Sequence, residues 1–295
     1  VGFGLGARTG VEDQGRFRLL VDELERLRFD SLWVSERIGA PGPDPMVAMS
    51  IAAARTERLK FGPAVMVLPG RNPVVLAKQH ASLDQLSGGR LLPAFGLGVA
   101  STPEHQAFGV RREERARIFD EALGLMRRLW TEDDVTHHGE RFHVEGVTIR
   151  PKPLQQPLEV WMGGIAPSEL RRVGRLADGW LPSFVTTADV EAGIATVQQV
   201  AAEHDRAIDP EHFGVLIPYA GEPIDERVLG FLAARRPDVE DPSQLVAPSL
   251  EALAATVQRY VDVGASKFVA VPFGPLGDVT AELEALADVV RPLET

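Results

Sequence analysis

Leu59-Lys60-Phe61-Gly62-Pro63-Ala64-Val65-Met66-Val67-Leu68 is a short run rich in Val and Leu, of a length that suits one strand. After the turn Pro69-Gly70-Arg71-Asn72, residues 73–86 set Leu76 and Leu83 on a helical stripe, with Pro73 suited to a first helical turn. Ser87-Gly88-Gly89 stops that helix, and residues 90–98 return to an apolar strand. Two apolar strands joined through a helix make a βαβ unit, in which the strands run parallel and are buried on both faces.

The same alternation continues in both directions. Upstream, strands are predicted at 1–6 and 30–36. A helix at 12–29 carries Phe17, Leu20, Val21, Leu24 and Leu27 as its stripe, and a helix at 45–56 takes Asp44 as its cap. Downstream, residues 112–130 place Ile118, Ala122, Met126 and Leu129 on one helical face. Strands follow at 158–162, 178–183, 213–218 and 267–271, with helices from Pro167 and over 189–204, 250–263 and 281–290. Eight strand–helix units in 295 residues predict an α/β protein, a single (β/α)8 TIM barrel over 1–295, with a doubly wound sheet as the alternative. Two stretches break the rhythm. Residues 134–157, after helix four, read as a hairpin-like excursion with short strands at 135–143 and 147–150. Residues 222–248, after strand seven, read as an insertion or lid segment.

Composition removes several function classes. At 44% hydrophobic and 25% charged residues the chain is an ordinary globular one. A net charge of −11 counts against a nucleic-acid surface. With no cysteine there is no disulfide, thiolate zinc site or cysteine nucleophile. No apolar run approaches the roughly 18–20 residues of a membrane span, so no membrane partner is expected. The first residues lack the regions of a secretory signal, and the expected compartment is the cytoplasm.

In a barrel of this kind, chemistry collects at the C-terminal ends of the strands. Those ends hold Glu36-Arg37, residues 66–71, 98–102 and 162–166, Ser183 and residues 272–274. They contain no carboxylate pair of the glycosidase kind and no acidic cluster for magnesium. His137 and His138 are neighbours on a strand and point apart, so with His143 they read as a solvated hairpin and no metal site is expected. His80, between Leu76 and Leu83, reads as a packed histidine, and Trp33, Trp161 and Trp180 as packing between barrel and helices. Gly163-Gly164 precedes a helix whose presumptive cap, Ala166, has no side-chain acceptor. Two readings stay open there: amides offered to a phosphate, or a tight turn whose helix start Glu169 satisfies. Gly96-Leu97-Gly98 similarly reads as either the approach of a flat ligand or a bend at a barrel corner.

Residues 59–65, 69–78 and 83–90, followed by Trp161-Met162-Gly163-Gly164 and Ala177-Asp178-Gly179-Trp180, form one ordered signature. Together they resemble the bacterial luciferase-like monooxygenase superfamily, especially its branch of oxidoreductases dependent on the deazaflavin coenzyme F420. The resemblance is specific from strand one through about Pro182. It implies a flavin or deazaflavin lying across the strand ends. It also implies a cis peptide between Ala64 and Val65 behind the ring, a cofactor site including Gly98 and Val99, and a phosphate-binding backbone at Met162, Gly163, Gly164 and Ile165.

The chain departs from the family pattern in three places. Dehydrogenase-type relatives carry an Asp-His pair where this chain has Glu36-Arg37, and a guanidinium cannot serve as the base. Val99 stands where sugar-phosphate dehydrogenases carry an acid. Pro272-Phe273 stands where a sugar phosphate would want a cation. The expectation is an F420-dependent oxidoreductase moving a hydride between cofactor and a small, mainly apolar organic molecule. In it Glu36 and Arg37 act catalytically, Glu36 orienting the cofactor ring as an acceptor and Arg37 stabilising negative charge. An FMN-dependent monooxygenase and a non-catalytic cofactor-binding protein are the alternatives. The resemblance also implies a homodimer through helices near strands two and three, with Met46, Met49 and Ile51 as its face or as packing against the barrel.

Overall fold

The computed structural model describes residues 1–6, 9–11, 13–99, 101–221 and 223–293. The first half runs β1 (Gly2–Leu5), α1 (Gln14–Arg26), β2 (Ser31–Val34), α2 (Pro45–Arg55), β3 (Lys60–Pro63), β4 (Met66–Val67), α3 (Pro73–Ser87), β5 (Ala94–Gly96), α4 (Thr102–Ala107) and α5 (Arg115–Thr131). An antiparallel hairpin of β6 (Val135–His138) and β7 (His143–Val147) follows. Then come β8 (Trp161–Met162), α6 (Pro167–Leu176), β9 (Gly179–Trp180), α7 (Thr187–Ala202), β10 (Gly214–Tyr219), α8 (Glu226–Arg235), α9 (Leu253–Val261), β11 (Lys267–Pro272) and α10 (Val279–Val290).

Closure follows from the pairings. One parallel sheet runs β10-β11-β1-β2-β3 and another runs β4-β5-β8-β9. Phe61 bridges Leu91 across the first gap, and Trp180 to Phe213 and Ser183 to Leu216 bridge the second. β3 and β4 are two halves of one stave, interrupted at Ala64 and Val65, whose peptide is cis as the resemblance implies. Eight parallel staves therefore close a ring among the described residues, and the architecture is the (β/α)8 barrel.

Local chemistry starts and stops the helices as the sequence suggests. Asp44 accepts from the Val47 amide ahead of Pro45, and Asn72 accepts from the Val74 and Val75 amides ahead of Pro73. Gly88 closes α3 in the left-handed conformation, φ +74°. Asp13 caps α1; the expected start at Glu12 lies outside the described residues, as does Glu222 at the head of the insertion. The helix expected over 112–130 is α5, and a short α4 that was not expected precedes it.

The tryptophan expectation holds only for Trp180, which faces outward against α7. An added Cβ on Gly193 would lie 2.2 Å from its indole. Trp33 and Trp161 point into the barrel, where their rings meet edge to face at 6.3 Å among Ala94, Leu181 and Val269. Staves buried on both faces are apolar throughout, so alternation does not say which side faces inward. Met49 is wholly buried and Met46 packs on the core, which removes Met49 from any dimer face. The exposed large apolar residues of α2 and α3 are Val47, Ile51, Val75 and Leu86.

The hairpin turns earlier than expected, between 138 and 143, because Glu121 of α5 organises it. Its carboxylate accepts the amides of Arg141 at 2.9 Å and Phe142 at 2.8 Å and meets His137 Nε2 at 3.1 Å. The insertion contains α8 and a 3-10 turn, Pro242–Leu245. Its Leu232, Leu245 and Val246 form a small core of their own, against which Phe184 and Phe273 pack.

Candidate functional site

Glu36 follows β2 and is almost fully buried, with both carboxylate oxygens engaged. Oε2 accepts the Val67 amide at 2.6 Å, and Oε1 takes an ion pair from Arg71. Arg71 also donates through Nε to the Val67 carbonyl at 2.9 Å. Burial pushes the carboxyl above the usual glutamate range, against the opposing pull of Arg71 and the Val67 amide. Glu36 thus ties the end of β2 to β4 and does not pair with Arg37. Arg37 instead reaches the cleft lined by Leu5, Gly6, Val34 and Ser35. It makes no ion pair among the described residues.

Val65, beside the cis bond, packs on the inward cluster of Trp33, Ala94, Trp161, Leu181 and Val269 and lies between the ends of β5 and β8. A Cβ on Gly96 would stand 2.4 Å from Val65 Cγ2, and one on Gly163 would stand 3.7 Å from Val65 Cγ1. Gly96 therefore makes room for the valine side chain. Gly98, at φ +77°, leaves space beside Val67. The carbonyls of Leu97, Gly98 and Val99 are gathered by Arg115 of α5 at 3.1, 2.9 and 3.3 Å. No spacing in the sequence announces that buried arginine, which acts from the next helix.

After β8, Gly164 turns at φ +96°. Its carbonyl accepts from Trp180 Nε1 at 2.9 Å, and Glu169 Oε2 accepts the amides of Ile165 and Ala166, each at 3.1 Å. Glu169 satisfies the helix start, the Gly163 amide belongs to the ladder of β8 with β5, and the Gly164 amide makes no hydrogen bond among the described residues. A Cβ on Gly164 would meet the Glu169 carboxylate at 2.6 Å. The turn thus leaves one amide, that of Gly164, open to an anion. Ile165 is already engaged, and Met162 is a buried strand residue.

His80 is packed as expected, with Nδ1 donating to the Leu76 carbonyl at 3.0 Å. His138 and His143 meet as tilted rings, 6.2 Å apart, across the hairpin. Among the described residues no group of three or more His, Asp or Glu is placed to hold a metal, and no helix is long and apolar enough to cross a membrane.

A family model described as luciferase-like monooxygenase matches residues 3–271. An F420-dependent glucose-6-phosphate dehydrogenase of Intrasporangium calvum is 33% identical over 193 residues, covering 60% of this chain and 57% of the relative. The matched stretches span 55–57% of the length of the curated relatives. Among solved structures, an F420-dependent secondary alcohol dehydrogenase in complex with an F420–acetone adduct shares the fold. Its TM-score is 0.84 at 20% identity, over 100% of this chain and 98% of that one. So does the oxygenating constituent of the 3,6-diketocamphane monooxygenase of Pseudomonas putida, in complex with FMN. Its TM-score is 0.73 at 14% identity, over 98% and 94% of the two chains.

Proposed function

The chain belongs to the luciferase-like monooxygenase family, and from that premise we propose that it is an F420-dependent oxidoreductase acting on a small, mainly apolar organic molecule. The observation that carries this reading is the mouth itself: a glycine turn with the Gly164 amide unpaired, beside an apolar valine, at the end of the barrel where this fold does chemistry. The residues present fit a phosphate-bearing flavin or deazaflavin. The Gly163–Gly164 turn would take the phosphate through the Gly164 amide, and Val65 would face the ring. When bound, the cofactor supplies the hydride chemistry.

The chain's own groups bind, orient and shield. Glu36 and Arg71 hold β4 and, with it, Val65. Trp180 and Glu169 hold the Gly163–Gly164 turn. Arg37 remains protonated and contributes positive charge at the mouth, where it stabilises negative charge on a reacting group. α8 covers one side of the mouth and limits water there.

The F420 branch is favoured by the Intrasporangium calvum relative. That protein's sugar phosphate is not carried over, because Arg37, Val99 and Phe273 offer neither the base nor the acid nor the cation such chemistry needs. The Pseudomonas putida structure, with the same fold around FMN, keeps an FMN-dependent monooxygenase as the second reading. Separate fluorescence titrations of the cofactor-free protein with F420 and FMN test both. Micromolar F420 binding with weak FMN binding supports the proposal, the reverse preference moves the protein to the flavin branch, and binding of neither ends the cofactor assignment.

A further inference from the structure

Three phenylalanines from separate elements meet at one side of the mouth. Phe184 follows β9, Phe231 lies on α8, and Phe273 comes just after β11. Their rings stand edge to face, Phe184 to Phe231 at 5.8 Å and Phe231 to Phe273 at 5.6 Å. Phe184 holds a φ of +56°, a conformation a bulky side chain keeps only when its surroundings impose it. Arg236 imposes it by donating to the Phe184 carbonyl at 2.7 Å while gripping Asp189 and Asp238. Backbone strain of this kind collects where the position of a side chain is used.

Cations flank the aromatic wall. Arg235 is one helical turn beyond Phe231 on the same face of α8, and its guanidinium lies 5.9 Å from the Phe184 ring centroid. Arg37 reaches the cleft from the end of β2. Its guanidinium is held below the ordinary arginine value, first by burial and then by the charge of Arg235, with Glu104 of α4 pulling the other way. Neither Arg37 nor Arg235 has an ion pair among the described residues, although acidic side chains outnumber basic ones 42 to 31. Arg71, Arg172 and Arg236 all have carboxylate partners. Two guanidiniums without ion pairs, acting on each other beside an apolar wall, leave a place for an anion.

We propose that this corner binds the carboxylate of a flat, apolar molecule. Arg37 and Arg235 take the anion, and Phe184, Phe231 and Phe273 take its body. The inference names the substrate class for the function proposed above and rests on that reading for the reaction, but not for binding.

Calorimetric titration with phenylacetate and its neutral isostere phenylacetamide, with and without F420, tests it. Phenylacetate is expected to bind about tenfold more tightly than the amide, the discrimination a charge-assisted contact provides. Arg37→Met and Arg235→Met, which keep an apolar stem, should each weaken phenylacetate about fivefold to tenfold and leave phenylacetamide within about twofold. Thermal melting of the variants separates lost binding from lost folding. Equal affinity for acid and amide, no binding of phenylacetate, or equal weakening of both probes would overturn the proposal. Displacement of the probe by F420 would also overturn it, because the arginines would then serve the cofactor. Absence of F420 binding with the acid preference intact would fault the cofactor reading alone.

Discussion

Glu36 and Arg71 form an ion pair between the end of β2 and the loop leading into α3, and the same carboxylate holds the Val67 amide at 2.6 Å. The Glu36 side chain is only 4% exposed and that of Arg71 22%. Removing the acid leaves the Val67 amide without its acceptor and the Arg71 charge without its counter-ion, held only by the Val67 carbonyl. Glu36→Ala should cost about 3 kcal/mol, the lower end for a broken buried pair because Arg71 reaches some solvent. Glu36→Gln keeps an acceptor for Val67 and should lose less. Urea denaturation measures both, and a loss below about 1 kcal/mol would mean the pair behaves as a surface one.

That relationship also marks where legibility ended. The cap at Asp44, the start at Pro73 and the stop at Gly88 could be read because they act within a few residues of themselves. The barrel could be read because each βα unit repeats the same local pattern. Glu36 could be picked out as a strand-end acid, but not its partner, since Arg71 comes from another stave. Arg115 was missed for the same reason, as was the indole of Trp180 on the Gly164 carbonyl. The inward turn of Trp33 and Trp161 was lost because staves buried on both faces carry no alternation.

Gly96 and Val65 share one volume. A Cβ at Gly96 would stand 2.4 Å from Val65 Cγ2, and a valine has little rotamer freedom with which to yield. Gly96→Ala should therefore destabilise by about 1–3 kcal/mol and weaken cofactor binding. Adding Val65→Ala removes the clashing methyl groups, so the double variant should be more stable than the sum of the single losses by at least about 1 kcal/mol. Strictly additive losses in chemical denaturation would show that the two side chains do not compete.

His80 should act as an acid-sensitive core group. Burial lowers its pKa from 6.5 to about 4, with Arg71 adding to the effect and the Leu76 carbonyl opposing it; Nε2 is buried without a partner. The unfolded chain then binds a proton that the folded chain refuses, so the contribution is complete above 6.5 and is lost as pH falls from there toward 4. The loss should reach roughly 3 kcal/mol. His80→Leu should flatten this part of the stability–pH profile, whereas the wild-type slope persisting in the variant would place the titration elsewhere.

Arg236 fastens the segment that carries α8. Its guanidinium joins the Phe184 carbonyl at 2.7 Å, Asp189 at 3.1 Å and Asp238 at 2.7 Å, and it is buried. Asp189 in turn accepts the Thr186 amide at the start of α7, so the fastening joins α8 to a helix end that is itself part of the barrel. Hydrogen bonds to charged groups contribute about 1.5–3 kcal/mol each, and losing one makes local opening at least about tenfold more frequent. Arg236→Met should therefore speed proteolytic cleavage within 223–248 by about tenfold while the barrel remains resistant. It should also release Phe184 from its left-handed conformation and so weaken binding at the aromatic wall. Cleavage at the wild-type rate would mean that the small core of Leu232, Leu245 and Val246 holds the segment without the arginine.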